Sequence, residues 1–465
     1  MADLQLFNSL TRALEPFTPV HAGEARVYTC GPTVYNHQHI GNMRAYVFAD
    51  TLGRALSWHG YALRHVINIT DVGHLTSDAD EGEDKLERAG RASGQSAWDI
   101  ARFYTQAYWR DIDRLNIRHP ERWTIATDYV PQMIAFAESI ADKHCYELDD
   151  GLYFDTSTVP DYGRLARAVT DAGEGRIEAV AGKRHPADFA IWRRTPPGET
   201  RQMEWDSPWG RGAPGWHLEC SVMSEAVLGL PFDIHTGGID HREIHHPNEI
   251  AQNQARTCSS DTGARVWMHN NFLVLGGSAK MSKSSGDFLT LQALVDRGYH
   301  PLAFRLLCLQ AHYRSELEFS WEGLGAALTR LKRLLLGVGK LKDAGAKPDA
   351  FLARFDEALA DDLNTAVALT VLDEAVAAKV PRAAVARMDA VLGLQLVDLP
   401  RDALRLRPAD AMLGEEDVLA RLDARKAARA AKDFATSDRL RAELTEAGVE
   451  VMDGDPLGWE WRLSS

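Results

Sequence analysis

Apolar and polar residues near the N-terminus follow a pattern that predicts a strand, a helix and a second strand. Residues 26–29 form a short apolar run typical of a buried strand. Over 43–58 the apolar side chains recur at helical spacing, and Gly60 follows as a stop signal. Residues 63–69 form the next strand pattern. This order predicts a parallel sheet with a right-handed crossover, in which ligands bind at the carboxyl ends of the strands.

The pattern changes farther along the chain. After a helical stretch over 96–115, Pro, Gly and Asp become common from 119 to 214, with a hairpin over 146–155 that turns at Asp150-Gly151. We interpret this region as an insertion, because strand patterns of the first kind return after it. The later strands and helices are predicted at 232–235, 272–275, 320–392 and, after a proline-containing linker, 415–446.

Composition indicates a globular protein with more than one domain. The chain has 465 residues, of which 45% are hydrophobic and 25% charged. This length predicts a catalytic unit with appended domains. The net charge of -14 argues weakly against nucleic-acid binding, although a basic face can lie on an acidic protein.

The cysteine content and the N-terminus indicate the compartment. Five cysteines in so long a chain argue against a disulfide framework and favour reduced thiols or metal ligands. The N-terminus lacks the apolar stretch of a signal peptide, and no apolar run approaches the ~18 residues of a membrane span. We therefore expect a cytoplasmic protein without a membrane segment.

A histidine–glycine turn joins the first predicted strand to the helix, in the run Thr33-Val34-Tyr35-Asn36-His37-Gln38-His39-Ile40-Gly41-Asn42. A helix N-terminus offers N–H groups to a phosphate, and Gly41 lets the backbone approach a nucleotide. His39 can donate to charge that develops on an α-phosphate, and Asn42 keeps a donor amide. The alternative is a helix start that contains His and Gly by chance.

A lysine–serine loop, Lys280-Met281-Ser282-Lys283-Ser284, follows much later, after Gly276 and Gly277. Two lysines on a glycine-hinged loop can close over the β- and γ-phosphates of a nucleotide. Alone, this loop could be a solvated basic turn. Together the two motifs resemble the HIGH and KMSKS signatures of class I aminoacyl-tRNA synthetases. That resemblance implies ATP with Mg²⁺, and it assigns ATP contact to Gly31, His39, Gly41, Asn42, Lys280, Met281 and Lys283. The catalytic role falls to His39, Asn42, Lys280 and Lys283.

Two cysteines, a histidine and a glutamate form a candidate metal site. His245 and Glu249 are four residues apart, so a helix would present both on one face. Cys220 precedes them, and Cys30 comes from the predicted ligand-binding edge of the sheet. Two sulfurs, one imidazole and one carboxylate suit tetrahedral Zn²⁺. Spacing alone is weak support, because each cysteine taken singly could be a buried apolar residue.

Longer segments resemble the cysteinyl-tRNA synthetase family over essentially the whole chain. They are Cys30-Gly31-Pro32-Thr33-Val34-Tyr35, Asn68-Ile69-Thr70-Asp71, Trp216-His217-Leu218-Glu219-Cys220-Ser221, His245-His246 to Glu249, Asp361-Asp362-Leu363-Asn364-Thr365 and the helix over 427–441. The resemblance implies one Zn²⁺ per chain, held by Cys30, Cys220, His245 and Glu249, with the thiolate of the substrate completing its shell. Because a serine hydroxyl is a poor zinc ligand, this metal would separate cysteine from serine more sharply than the shape of a pocket.

The resemblance also assigns an amino-acid pocket, lined by Thr33, Thr70, Trp216 and His235. Trp216 could instead belong to the core, and His235 could be a structural histidine.

The chain departs from the family pattern in three places. Thr236 stands where a glycine is usual, residues 240–244 include an additional histidine, His241, and residues 73–75 lack the usual acidic-lysine run. His246 could also compete with its neighbour as a metal ligand.

Basic residues recur in two C-terminal regions, a pattern that fits the phosphate backbone of RNA. They are Arg330, Lys332, Arg333, Lys340 and Lys342 in the first region, and Arg421, Arg425, Lys426, Arg429, Lys432, Arg439 and Arg441 in the second. The alternative is a solvated helix face balanced by acidic neighbours. Trp459 and Trp461 could stack on unpaired anticodon bases or cap a small core.

Together these observations give an α/β fold class: a Rossmann-like class I synthetase catalytic domain with an inserted connective domain, followed by an α-helical bundle and a small C-terminal α/β anticodon-binding domain. The predicted boundaries are 1–118 and 215–262 for the two halves of the Rossmann catalytic domain, 119–214 for the connective insertion, 263–319 for the stem-contact region with the KMSKS loop, 320–400 for the tRNA-binding bundle and 410–465 for the anticodon-binding domain.

We therefore hypothesise that the protein joins L-cysteine to tRNA(Cys) through an enzyme-bound cysteinyl-adenylate, using ATP and releasing AMP and pyrophosphate. We expect it to act as a monomer. One alternative is the related cysteine ligase of mycothiol synthesis, which uses an amino-sugar acceptor; residues 415–463 argue against it, because such proteins lack the full anticodon-binding region. The other is a catalytically silent paralogue that binds RNA or zinc, and the presence of His39 and Lys283 argues against that.

Overall fold

The computed structural model describes residues 2–73, 85–166, 182–276, 279–280 and 289–463. In chain order the strands are β1 (Gln5–Asn8), β2 (Ala13–Pro16), β3 (Glu24–Thr29), β4 (Ala62–Ile69), β5 (Arg122–Ile125), β6 (Cys145–Leu148), β7 (Gly151–Phe154), β8 (Phe189–Arg194), β9 (Gly212–Pro214), β10 (Phe232–Gly238), β11 (Ala264–Asn270), β12 (Leu273–Leu275), β13 (Ala279–Lys280), β14 (Leu317–Phe319), β15 (Val449–Val451) and β16 (Trp459–Trp461). The α-helices are α1 (Ile40–Trp58), α2 (Lys85–Ser93), α3 (Ala97–Arg114), α4 (Val130–His144), α5 (Trp216–Leu228), α6 (His245–Thr257), α7 (Leu291–Val295), α8 (Pro301–Leu309), α9 (Trp321–Val338), α10 (Asp349–Ala360), α11 (Thr365–Ala377), α12 (Arg382–Leu392), α13 (Glu415–Ala430) and α14 (Phe434–Glu446).

A five-stranded parallel sheet with the order β11-β10-β3-β4-β5 forms the centre of the catalytic region. It confirms the predicted strand–helix–strand unit, since α1 connects the parallel neighbours β3 and β4. The first six residues of β10 and the last five of β4 are buried, as expected for parallel strands covered on both faces. Helix α1 begins at Ile40 and not at residue 43, because the side chain of His39 caps its N-terminus.

The region predicted as an insertion contributes to two different sheets. Its first strand, β5, pairs with β4 and so extends the parallel sheet beyond residue 118. The remainder supplies the four-stranded antiparallel sheet β6-β7-β8-β9. The predicted hairpin is β6–β7, and its turn falls at Asp149-Asp150, one position earlier than expected, because Leu148 pairs with Gly151.

The C-terminal domain packs two helices against a two-stranded antiparallel sheet, β15–β16. The helical stretch predicted over 415–446 is two helices, and Lys432 between them adopts a left-handed backbone conformation (φ 61°). Trp459 and Trp461 are 3% and 6% exposed and belong to the small core of this domain. Of the two roles considered for these tryptophans, the structure supports packing in a small core and not stacking on unpaired bases.

A buried arginine joins the catalytic region to the helical bundle. Arg305, on α8, is fully buried and donates hydrogen bonds to the carbonyl oxygen of Leu392 (2.7 Å), at the end of α12, and to Asp50 Oδ2 (2.6 Å), on α1. Although burial alone would raise the pKa of Asp50, Arg305 holds it below its usual value. A Cβ atom on Gly393 would lie 2.5 Å from the guanidinium, so the junction needs glycine there.

Within the described part of the chain, the helices are too short or too polar to cross a lipid bilayer.

Candidate active site

A cleft of about 240 Å³ opens at the carboxyl ends of the parallel strands. Cys30 and Gly31 follow β3, Thr70 follows β4, and Gly238 ends β10; all four line the cleft. This is the edge where ligands bind in open parallel sheets. The segment before α1 and the start of α5 complete its walls.

His39, Gly41 and Asn42 form one wall of the cleft. The Nδ1 atom of His39 accepts a hydrogen bond from the Asn42 backbone N–H (3.0 Å), so a neutral ring carries its proton on Nε2. A Cβ atom on Gly41 would lie 3.0 Å from that ring, tighter than ordinary contact. These contacts fix the imidazole at the N-terminus of α1, where the helix dipole favours an anion.

Gly31 is required by the packing of the opposite wall. A Cβ atom there would lie 1.6 Å from the Asn68 carbonyl oxygen, and the Gly31 N–H donates to Asn68 Oδ1 (2.7 Å). Asn68 also donates to Thr70 Oγ1 (3.0 Å), which in turn donates to Glu219 Oε2 (3.0 Å). Thr33 forms a backbone bridge with Thr70. This network orients the side chain of Thr70 and places the backbone of Thr33, the other threonine predicted for the amino-acid pocket, beside it.

The four predicted metal ligands converge in the structure. One donor atom from each of Cys30, Cys220, His245 and Glu249 lies within 4.8 Å of the others, and all four residues are buried. We call this set the front site. Helix α6 carries His245 and Glu249 on one face, with His245 Nε2 3.0 Å from Glu249 Oε1. Two thiols, one imidazole and one carboxylate in this geometry fit Zn²⁺.

The front site places charged groups beside a neutral thiol, because burial raises the pKa of Cys30 well above its usual value. Burial alone would raise the pKa of Glu249, but His235 and His245 lower it to about 2. Burial alone would lower the pKa of His245, but Glu249 and Cys220 raise it to about 10. A hydrogen bond with Cys30 lowers the pKa of Cys220 to about 7. A metal ion would take the place of the His245 proton, and its binding would release protons.

Trp216 and His241 flank the front site in the cleft. The Trp216 ring stacks on His245, with centroids 4.4 Å apart and planes 30° apart. His241, the additional histidine of the 240–244 segment, lies with its centroid 5.1 Å from that of His245. Burial lowers the pKa of His241 to about 4, so its ring is neutral near pH 7.

His235 occupies a different position from the one expected. It is 1% exposed and does not line the cleft; instead its Nε2 atom lies 2.9 Å from Glu249 Oε2. The reason is that β10 is covered on both faces, so its side chains point into packed layers. His235 therefore orients Glu249, one of the predicted metal ligands, from behind.

Two further histidines escaped sequence reasoning as parts of the site. His269 lies 2.8 Å from His246, and His217 lies 2.9 Å from His245, in each case between ring nitrogens. The chain has 17 histidines, but their spacing in the sequence does not indicate which of them lie side by side in the fold.

The KMSKS loop falls mostly outside the described residues. The backbone of Lys280 lies in β13, which pairs with Val274 of β12. Met281 and Lys283 lie outside the described residues, as do His74 and Leu75 of the 73–75 departure.

The comparisons with known proteins agree with this geometry. The family model described as the class I (C) tRNA synthetase catalytic domain matches residues 16–329, and the cysteinyl-tRNA ligase anticodon binding domain matches 415–462. A cysteine–tRNA ligase from Novosphingobium aromaticivorans is 71% identical, covering 100% of this chain and 98% of that protein. The chain belongs to the cysteine–tRNA ligase family. A second member, from Zymomonas mobilis, is 54% identical over 99% of this chain and 98% of its own length.

Solved structures of class I synthetases share the fold of this cysteine–tRNA ligase family member. Mycobacterium tuberculosis methionyl-tRNA synthetase bound by methionyl-adenylate has a TM-score of 0.54 at 15% identity, covering 80% of this chain and 90% of that one. The LeuRS–tRNA–LeuAMS complex from Agrobacterium radiobacter has a TM-score of 0.57 at 13% identity, covering 94% and 95%. At these identities the likeness concerns the fold alone.

Proposed function

We propose that this protein ligates L-cysteine to tRNA(Cys) in two steps, through an enzyme-bound cysteinyl-adenylate, using ATP with Mg²⁺ and releasing AMP and pyrophosphate. One observation carries the proposal: Cys30, Cys220 and His245 line the same cleft as His39 and Asn42. An amino acid held by its thiol at the front site would present its carboxylate to a nucleotide held at the start of α1.

In the first step the carboxylate of cysteine attacks the α-phosphate of ATP, and no side chain needs to form a covalent bond. Gly31, Gly41 and the N-terminus of α1 let the backbone approach the nucleotide. His39 Nε2–H and the Asn42 amide donate to charge that develops on the α-phosphate. Lys280 and Lys283, with Met281, are assigned to the leaving pyrophosphate. Catalysis is then positioning and charge stabilisation.

Selectivity for cysteine is assigned to the front site. Bound Zn²⁺ would supply a soft Lewis acid that favours a thiolate over a hydroxyl. Cys30, Cys220, His245 and Glu249 would hold it, while His235 orients Glu249 and Trp216 packs on His245. Thr33, Thr70 and Trp216 would bound the side chain and the amino group of the substrate.

Recognition of tRNA is assigned to the bundle over 320–400 and to the domain over 410–465. In that domain Arg425, Arg429 and Arg441 all lie within 3.3 Å of the single carboxylate of Asp453, which gives a local excess of positive charge that a phosphate backbone could approach. In the bundle, two arginines, Arg330 and Arg333, share the carboxylate of Asp373 at 2.6 and 3.8 Å. The C-terminal domain is therefore the stronger candidate for RNA contact.

The proposal extends to a monomer acting in the cytoplasm. All five cysteines are free thiols, as expected in a reducing compartment. The connective insertion, predicted over 119–214, and the stem-contact region, predicted over 263–319, remain part of the proposed domain assignment, except that β5 and β11 from these ranges pair within the central parallel sheet.

The test is ATP–pyrophosphate exchange with cysteine or with serine, without tRNA, followed by charging of total tRNA. We expect exchange that depends on cysteine, and charging of tRNA(Cys). Exchange without charging would favour a ligase with a small-molecule acceptor, as in mycothiol synthesis. A folded, zinc-loaded protein without exchange would favour a catalytically silent paralogue.

A further inference from the structure

We propose that the protein has a second, closed position for the metal ion, formed by Cys30, His235, His246 and Glu249. We call it the rear site. One donor atom from each residue lies within 4.8 Å of the others, as in the front site. The two sites share Cys30 and Glu249, so they hold one ion between them. The inference rests on the metal site of the proposed function.

The donor atoms of the rear site lie close together, but its two histidines face different oxygens of Glu249. Cys30 Sγ lies 3.4 Å from His246 Nε2. His235 Nε2 lies 2.9 Å from Glu249 Oε2, whereas His246 Nε2 lies 3.9 Å from Glu249 Oε1. Zinc–ligand bonds of ~2.0–2.3 Å require donor atoms ~3.3–3.7 Å apart in a tetrahedron. The distance between Cys30 and His246 falls in that range, and the Glu249 carboxylate would have to shift so that one of its oxygens serves as the donor.

The rear site has the outer support typical of a metal-binding histidine. His246 Nδ1 lies 2.8 Å from His269 Nε2, and His269 Nδ1 lies 2.8 Å from Ser9 Oγ. Such a partner on one ring nitrogen orients the imidazole and directs the other nitrogen to the ion. In His246 that second nitrogen, Nε2, faces Cys30.

Access distinguishes the two sites. Cys220 and His245 of the front site line the cleft, whereas His235 and His246 do not and are 1% and 0% exposed. Both sites offer four protein donors, so a substrate thiol would have to add a fifth ligand, and only the front site can be reached from the cleft. An ion in the rear site is therefore out of reach of a substrate thiol.

Charge explains how the two positions compete. With cysteines as thiolates and glutamate as carboxylate, the front site carries three negative charges and the rear site two. A divalent ion thus leaves the front site anionic and the rear site neutral, and a buried neutral complex has the smaller desolvation cost. The second thiolate, that of Cys220, opposes this by its intrinsic affinity for zinc. Removing Cys220 as a ligand should therefore move the ion and not release it.

The experiment uses Co²⁺ as the probe in the full-length protein, because the thiolate-to-cobalt charge-transfer band grows with the number of bound thiolates. We expect wild-type protein and His246→Asn to bind one Co²⁺ with the two-thiolate band. Cys220→Ser should still bind one Co²⁺ per chain, with about half the band. Cys30→Ser and the double variant Cys220→Ser/His246→Asn should lose the ion. Circular dichroism on each variant controls for folding.

Equal loss of cobalt in Cys220→Ser and Cys30→Ser, with both proteins folded, would overturn the rear site while leaving the front site intact. A folded wild-type protein that binds no cobalt would overturn both sites. Retained cobalt with a halved band in Cys220→Ser, abolished by adding His246→Asn, would support the proposal.

Discussion

The two ends of this molecule use ionisable groups in opposite ways. At the cleft, Cys30, Cys220, His245 and Glu249 are buried, so burial and neighbouring charges determine their pKa values and their positions. In the C-terminal domain, arginines surround one exposed carboxylate, that of Asp453. The first arrangement suits selection of one small ligand by fixed geometry. The second suits a flexible polyanion, whose charge matters more than its exact shape.

The largest effect is expected from a substitution that unfolds the C-terminal domain and leaves the catalytic region folded. Trp459→Ala should cost ~3–5 kcal/mol, because it empties much of the small core of the C-terminal domain. Hydrogen exchange should accelerate over 415–462, tRNA charging should fall, and cysteine-dependent pyrophosphate exchange should persist. Phe434→Ala is the control for stability, since Phe434 is 63% exposed. Loss of pyrophosphate exchange in Trp459→Ala would mean that the ends are not independent.

The reciprocal change acts on the cleft. Cys30→Ser removes a donor common to both proposed metal positions. It should lower the rate of cysteine-dependent pyrophosphate exchange about 100-fold, which corresponds to an increase of ~2.7 kcal/mol in the activation free energy. Zinc content, measured by mass spectrometry of the purified protein, should fall in parallel, while tRNA binding is unchanged. Cys258→Ser is the matched control, because Cys258 is exposed and belongs to neither donor set. Full exchange activity in zinc-free Cys30→Ser would contradict the assigned selectivity.

Acidification should weaken the catalytic sheet before the C-terminal domain. Burial lowers the pKa of His65, on β4, to about 4. Its stabilising contribution is therefore present above pH ~6.5 and is lost as the pH falls toward 4, by ~2 kcal/mol at pH 5. His65→Gln should remove that part of the difference between urea unfolding at pH 7.5 and pH 5. If the stability difference between pH 7.5 and pH 5 were the same in His65→Gln as in the wild-type protein, another titratable group would control it. In the C-terminal domain, Arg425 lowers the pKa of Asp453, so its pairs persist at pH 5.

The smallest expected effect concerns a single exposed charge. Arg429→Gln should weaken tRNA binding by ~1 kcal/mol and reduce the salt dependence of binding by about one charge. Pyrophosphate exchange should not change. Arg354→Gln is a control on the bundle, where Arg354 is exposed and pairs with Glu374. Equal weakening in both variants would indicate a general charge effect and not a specific surface.

Local patterns predicted the features that local sequence determines. The strand–helix–strand unit follows from residues close together in the chain, and the i, i+4 pair of His245 and Glu249 from one helix face. The start of α1 was predicted three residues late, because the cap at His39 was not recognised. The resemblance to a known family then united Cys30 with Cys220, which no spacing rule connects.

Features set by tertiary packing were not predictable in the same way. His235 was expected in the amino-acid pocket, but the layers that cover β10 direct it to Glu249. The break between α13 and α14 lies at Lys432, without the glycine or proline that marks such turns. Strand β5 was missed because four residues give too short a period to recognise.

The hydrogen bonds of Arg305 determine where this protein can be divided. The matched catalytic region ends at residue 329, yet Arg305 within it is bound to the carbonyl oxygen of Leu392. A fragment that ended at the sequence boundary would cut through α9 and lose this acceptor, leaving Asp50 and the carbonyl oxygens of Leu115 and Asn116 to bind the guanidinium. We therefore expect the smallest fragment that keeps all the contacts of Arg305 to extend through Gly393, beyond the boundary of the matched catalytic region.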